Sequence, residues 1–301
     1  MAGLCEGRVC IVTGAGRGIG REHSLLLAAE GARVVVNDLG GSPSGEGSDV
    51  GPAQEVVEEI VAAGGEAVAN TDDISSWDGA EKLVAQAVDT WGRLDVLVNN
   101  AGILRDRMLA TMTEAEWDAV IKVHLKGTAG PAHFAAAHWR ARAKAGETDI
   151  QGRLINTTSP SGIYGNIGQT NYGSAKAGIA SLTIIAADEL AQYGVTANAI
   201  APAAITRLTA GVGGVEMPPE IAESLGPKWI ASVAVWLAST ESAGVTGRVF
   251  DVRGHELSIA EGWHIGPRGQ NDLDPTALGP HIRQLVADAR PNADMNGNDR
   301  Q

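Results

Sequence analysis

The sequence predicts an α/β fold: a single domain built on one doubly wound parallel sheet of about seven strands. Three observations carry that prediction. Short apolar, β-branched runs alternate with longer stretches of helical period, the pattern of a parallel sheet covered on both faces. A glycine-rich turn stands between the first such run and the first helix. No internal repeat and no linker-like composition divides the chain.

Val9 to Val12 reads as the first strand and Ile19 to Glu30 as the helix after it. Arg33 to Asn37 and Glu66 to Ala69 follow as strands. From Trp77 to Trp91 the apolar residues Ala80, Leu83, Val84, Ala87 and Val88 fall on one helical face. Strands then fit Leu94 to Val98, Arg153 to Thr157, Val195 to Ile200 and Val249 to Val252, with long helices over Val120 to Lys144 and Asn171 to Tyr193. Gly40 to Gly51, rich in Gly and Ser, reads as a flexible loop, and Arg207 to Gly226 as a Gly- and Pro-containing stretch before the final helix. The sheet domain is expected over 1–254, with an extension over 255–301. That extension has a short amphipathic helix at Pro275 to Arg290 and a polar, disordered tail at Asn292 to Gln301.

Of the 301 residues 44% are hydrophobic, enough for a packed core, and the formal net charge of −13 argues against broad attraction to nucleic acid. Two cysteines, Cys5 and Cys10, offer neither a disulfide framework nor metal-ligand spacing. With no signal-like start and no apolar run of membrane length, the expectation is a cytoplasmic protein without membrane partners.

Thr13-Gly14-Ala15-Gly16-Arg17-Gly18-Ile19-Gly20 joins the first strand to the first helix. Glycines let backbone approach a pyrophosphate while the helix N-terminus offers N–H donors, so Gly14, Arg17, Gly18, Ile19 and Gly20 are candidate dinucleotide contacts. Asp38 lies eighteen residues beyond Gly20, at the end of the second strand. A carboxylate there accepts from the adenosine ribose hydroxyls and repels a 2′-phosphate, favouring NAD over NADP; an Asp that merely opens the turn to Gly40 would read the same. Asp73 and Ile74 follow the third strand, where the adenine edge should lie, with Asp72 a competitor for the role. Asn99-Asn100-Ala101-Gly102 ends the fourth strand, and Asn100, Ala101 and Gly102 could hold the loops above a cofactor or serve plain turn chemistry.

Tyr172 and Lys176 are four apart on a helix and so share a face. An ammonium beside a phenol favours the phenolate and should lower the Tyr172 pKa. Ser159, thirteen residues before Tyr172, could hydrogen-bond the same substrate oxygen. Alone, the Tyr-x-x-x-Lys pair reads as a core tyrosine beside a surface lysine; with Ser159 and the glycine-rich turn it reads as an acid/base site.

Together the Thr-Gly-x-x-x-Gly-x-Gly turn, Asn-Asn-Ala-Gly, Ser159 and Tyr172-x-x-x-Lys176 resemble the short-chain dehydrogenase/reductase family over about Gly7 to Gly254. The resemblance implies a Rossmann-type fold and a nicotinamide-dependent exchange of secondary alcohol and ketone. It makes Tyr172 the general acid/base, Lys176 the holder of the nicotinamide ribose, and Ser159 the guide of the substrate oxygen. Val36-Asn37-Asp38-Leu39-Gly40-Gly41, Gly102 to Arg107, and Ser161 to Tyr172 are similar to the multifunctional-enzyme-type-2 branch, whose dehydrogenase domains oxidise 3-hydroxyacyl-CoA esters with NAD. Most of the family has Asn where this chain has His124, and that branch carries His. An imidazole there can serve a proton relay or be a buried structural histidine. Pro202-Ala203-Ala204-Ile205 replaces the family's usual Pro-Gly, leaving Pro202 and Ile205 as candidate neighbours of the nicotinamide.

The expected function is NAD-dependent oxidation of a 3-hydroxyacyl-CoA, fatty or steroid-derived, by a homodimer or homotetramer acting on a small-molecule substrate. Arg105, Arg107 and Arg207 are candidate cations for the CoA phosphates, and Arg207 to Gly226 for a substrate lid or an ordinary surface loop. A 3-oxoacyl-ACP reductase, a dehydrogenase of free hydroxysteroids and a non-catalytic NAD-binding protein are the alternatives.

Overall fold

Alternation along the strands decides which core each side chain enters, and the first strand shows it. In β1 (Val9–Thr13), Val9 and Ile11 point into one core and Cys10 and Val12 into the other. The structure, a computed structural model, describes residues 3–42, 44–47, 50–204, 223–271 and 274–300. After β1 come α1 (Gly18–Ala29), β2 (Arg33–Asn37), α2 (Gly51–Ala62), β3 (Glu66–Asn70), α3 (Trp77–Trp91) and β4 (Val96–Asn99). The chain continues through α4 (Glu114–Ile121), α5 (Gly127–Lys144), β5 (Arg153–Thr157), the short α6 (Pro160–Ile163) and α7 (Thr170–Leu190). It ends with β6 (Thr196–Ala203), α8 (Lys228–Ala238), β7 (Val249–Arg253), β8 (Glu256–Ala260) and α9 (Pro275–Asp288).

The sheet has eight strands in the order β3-β2-β1-β4-β5-β6-β7-β8, the first seven parallel. Leu27 of α1, Val56 and Ile60 of α2 and Ile230 and Ala234 of α8 cover one face with Val12, Val34 and Val36. On the other face Leu83 of α3, Trp139 of α5 and Leu190 of α7 pack on Ile11, Val35 and Leu97. Order reverses between β1 and β4, and the carboxyl ends of those strands open a crevice. Among the described residues no helix is long and apolar enough to cross a membrane.

Four local readings differ from the sequence expectation. The sheet continues past Gly254: β8 is an eighth strand, antiparallel to β7 through the two-residue turn Gly254-His255. Gly254 takes φ 55°, which a tight hairpin needs, and Leu257 and Ile259 alternate as a half-exposed strand should. Helix α2 was hidden behind the Gly/Ser loop, although Pro52 in its first turn and Ala53, Val56, Val57 and Ile60 at helical spacing signal it.

The expected helix over Val120 to Lys144 is two helices joined by a π-helical turn at Lys122–Lys126. The first starts earlier, on a capping box between Thr113 and Glu116. Finally, the tail expected to be disordered is folded back. Ala293 bridges Asp299, Arg300 donates from Nη2 to the Tyr164 carbonyl at 2.8 Å, and Arg253 donates to the Met295 carbonyl. Its polar composition concealed an order that rests on hydrogen bonds rather than apolar burial.

Trp139 is the largest wholly buried side chain, and its Nε1 donates to the Leu94 carbonyl at 2.8 Å. Replacing it with alanine should lower stability by about 3–5 kcal/mol in urea unfolding. A loss under about 1 kcal/mol would show that this core does not close around it.

Candidate active site

The crevice is floored by the glycine-rich turn. Gly14 and Gly18 have φ 62° and 55°, and a side chain on Gly20 would strike the Gly14 carbonyl and the Asn100 amide. Helix α1 begins behind an extended Arg17 with no side-chain cap, so its first N–H groups and its positive dipole end face the crevice. The loop after β4 is tied to this turn. Asn100 Nδ2 donates to the Thr13 and Gly14 carbonyls at 3.0 and 3.2 Å, and Thr13 Oγ1 accepts from the Asn100 and Ala101 amides at 3.0 and 3.1 Å. Thr13, read from the sequence only as the first residue of the glycine-rich turn, is the last residue of β1 and bridges to the β4 loop.

Asp38 does two things at once. Its Oδ2 accepts from the Gly16 amide at 2.8 Å and its Oδ1 from the Gly40 amide at 2.7 Å, so it opens the following turn while lining the crevice. Asp73 Oδ1 accepts from the Ser75 amide and hydroxyl at 2.9 and 2.6 Å, and Asp72 Oδ2 from Asn70 Nδ2 at 2.7 Å. Both line the crevice beside Ile74. The cavity, about 270 Å³, runs from Gly14, Arg17, Gly18 and Ile19 past Asp38, Ile74, Asn100, Ala101 and Gly102 to His124, Tyr172, Lys176 and Pro202. Ile205 and Arg207 lie outside the described residues.

At the far end stand Ser159, Tyr172 and Lys176. Ser159 caps α6, its Oγ accepting from the Ser161 amide at 3.2 Å, and it is the neighbour that favours the ionised form of the Tyr172 phenol. Lys176 Nζ is 5.6 Å from the Tyr172 ring centre and donates to the Thr157 carbonyl at 2.6 Å. The ring of His124, turned inward by the π-helical turn, meets Tyr172 edge-on at 5.0 Å.

The electrostatics correct one expectation. Burial pushes the Tyr172 phenol above its usual range, with the Asp106 carboxylate adding to the rise and Ser159 opposing it. Lys176 does not reverse this, because burial lowers its own pKa to about 7 and weakens it as a fixed positive charge. Burial, then the Lys176 charge, take His124 down to about 3 against the Ile103 hydrogen bond, so its imidazole stays neutral. Its Nε2 lies 2.7 Å from the Ile103 carbonyl and its Nδ1 has no protein partner.

The proposed phosphate cations are otherwise engaged. Arg107 pairs with Glu116 at 2.9 Å, and Arg105 Nε donates to the Ser44 carbonyl at 3.0 Å. A further polar group, Asp106, Ser161, Gln169 and Asn171, surrounds the reacting end. The sequence reading counted their segments among the stretches of family likeness but gave these side chains no role, though they crowd the segments flanking Ser159 and Tyr172.

A glycine-rich turn at the reversal of a doubly wound sheet, facing Tyr and Lys across one crevice with a Ser beside the phenol, defines a dinucleotide-dependent oxidoreductase. The model of the short chain dehydrogenase family matches residues 8–213, and the chain belongs to that family, whose members bind a nicotinamide cofactor and act on CH–OH groups. It is 43% identical over 304 residues to the hydroxyacyl-CoA dehydrogenase ChsB1 of Mycobacterium tuberculosis, covering 98% of this chain and 93% of that one. Peroxisomal multifunctional enzyme type 2 of Mus musculus is 43% identical over 247 residues, which are 82% of this chain and 32% of the mouse protein. A crystal structure of a short chain dehydrogenase from Mycobacterium avium superposes with a TM-score of 0.85 at 50% identity, covering 97% of this chain and 98% of that one.

The crevice fits a dinucleotide: uncapped helix N–H groups, a cradle that side chains on Gly16 or Gly20 would fill, and a carboxylate on its rim. Gly20→Ala should therefore cut nicotinamide-dinucleotide affinity about 5- to 150-fold, by roughly the 1–3 kcal/mol of a forced overpacking, in a tryptophan-fluorescence titration. Unchanged affinity would place the pyrophosphate elsewhere.

Proposed function

We propose that the chain oxidises 3-hydroxyacyl-CoA esters, of fatty or steroid side-chain type, to 3-oxoacyl-CoA with NAD. The observation that carries this reading is the convergence of Tyr172 and Lys176 at one end of a crevice that starts at the α1 N-terminus, with Ser159 beside the Tyr172 phenol. The hydroxyacyl-CoA assignment draws on the name of the mycobacterial relative, which matches nearly the full length of this chain.

In this reading Ser159 holds the substrate oxygen through a hydroxyl whose lone pair is already occupied by the Ser161 amide, leaving its proton free to donate. Tyr172 takes the proton of the substrate hydroxyl, and Lys176, anchored on the Thr157 carbonyl, fixes the cofactor ribose beside it. The nicotinamide, when bound, supplies the acceptor for the hydride leaving the carbinol carbon. Asn100, Ala101, Gly102, Ile74 and Pro202 would wall the cofactor and Asp73 would stand at its adenine edge; Ile205, the other proposed neighbour of the nicotinamide, lies outside the described residues. His124 accepts through Nδ1 on the path that returns protons from Lys176 to solvent.

Asp38 supports NAD over NADP, because a carboxylate on the ribose side repels a 2′-phosphate, and this disfavours an NADPH-linked 3-oxoacyl-ACP reductase. The mycobacterial relatives and two buried free thiols support a cytoplasmic setting. A homodimer or homotetramer joined through α5 and α7 would cover Ile184 and Ile185, which α7 leaves exposed.

Mixing the protein with NAD and a panel of 3-hydroxyacyl-CoA esters should raise absorbance at the reduced-cofactor band. Silence across short, long and steroid-derived esters would sink the substrate assignment. Tyr172→Phe should lower kcat by about 10²–10⁴-fold. Because the phenol must first lose its proton, oxidation in the parent enzyme should accelerate with rising pH through the raised Tyr172 pKa, and a flat profile would contradict its role as base. Asp38→Ala should weaken NAD and narrow the NAD/NADP preference together, read as the ratio of kcat/KM values; an unaltered ratio would remove Asp38 from cofactor choice.

A further inference from the structure

Beside the reacting groups lies a chain of hydrogen bonds that no step above uses. Asp106 Oδ2 accepts from Gln169 Nε2 at 2.8 Å, and Gln169 Oε1 accepts from Ser161 Oγ at 2.7 Å and from Asn166 Nδ2 at 3.0 Å. The Ser161 amide then donates to Ser159 Oγ. Gln169 and Ser161 are buried, at 8% and 6% exposure. The two loops involved are also joined through backbone, since the Arg107 amide donates to the Gly168 carbonyl at 2.8 Å.

The polarity of this chain is fixed. A carboxylate only accepts and so demands the amide nitrogen of Gln169; that leaves the amide oxygen to take the Ser161 hydroxyl proton. Ser161, held from its side chain, keeps its N–H on the lone pair of Ser159. The same Gln169 precedes α7 and stands three residues from Tyr172, so one amide governs the approach of both reacting groups.

We infer that Gln169 and Asp106 are positioning residues for alcohol oxidation: the hydrogen-bond chain that runs from Asp106 through Gln169 and Ser161 orients the Ser159 hydroxyl. The inference rests on the reading of Ser159 and Tyr172 as the reacting pair. The groups that act on Tyr172 are Lys176 on its own helix, His124 from the π-helical turn, Ser159 at the start of α6 and the exposed carboxylate of Asp106 in the loop after β4. On the α4 side Glu116 and Arg107 are paired with each other. Asp106 is therefore the carboxylate whose charge acts on the phenol without a partner cation of its own among the described ion pairs.

The test separates polarity from bulk. Asp106→Asn keeps an acceptor for Gln169 and removes the charge, so the Tyr172 titration should move to lower pH. Gln169→Glu sets a second carboxylate against Asp106 and should lower kcat by about tenfold or more, as displaced reacting groups do, with less change in KM. The double variant Asp106→Asn/Gln169→Glu restores one donor facing one acceptor and should recover kcat to within about threefold of the parent.

The chain has three tyrosines, so phenolate absorbance in a Tyr164→Phe/Tyr193→Phe background follows Tyr172 without any turnover. That optical titration stays readable if no hydroxyacyl-CoA is oxidised, which would overturn the substrate reading instead. A Tyr172 titration unmoved by Asp106→Asn, or a double variant no faster than Gln169→Glu alone, overturns the inference.

Discussion

Two strand ends, β1 and β4, diverge where the sheet order reverses, and the Asn100 amide and the Thr13 hydroxyl bind them together. The crevice exists because helices leave those ends in opposite directions, and it keeps its width because four hydrogen bonds cross it. Each partner is a backbone group that the turn would otherwise leave unpaired in a buried setting. The glycines belong to the same constraint, since Ala101 approaches Gly14 and Asn100 approaches Gly20 at distances that a side chain would not permit.

Desolvation governs the other end of the crevice. Tyr172, Lys176 and His124 are enclosed together, and each is pushed towards its neutral form: the phenol upward, the ammonium to about 7, the imidazole to about 3. A group held near its neutral form passes a proton at little cost, whereas a strongly stabilised ion would retain its own. The π-helical turn contributes by bringing His124 inward to meet the Tyr172 edge, a direction that a regular helix through Lys122 to Lys126 would not give it.

Much of this was legible in the residues. The parallel sheet followed from apolar runs buried on both faces, and the candidate cofactor and reacting residues from motifs whose chemistry demands particular side chains at particular spacings. The elements that escaped had weaker periodic signals. Strand β8 leaves Leu257 and Ile259 half exposed, α2 follows a Gly/Ser loop that masks its start, and the tail is held by Arg253 and Arg300 rather than by apolar contacts. Asp106, Ser161 and Gln169 were invisible for another reason: their link spans up to 63 residues of chain, and polar residues in loops carry no period.

The sequence by itself determined the fold class, the glycine-rich turn and the identity of Ser159, Tyr172 and Lys176, because backbone geometry and local spacing constrain those positions directly. Only the tertiary structure decided the acidity of the phenol. Spacing puts Lys176 one helical turn from Tyr172, but the packing that buries Lys176 and half-buries Tyr172 desolvates both, and that packing is a property of everything around them.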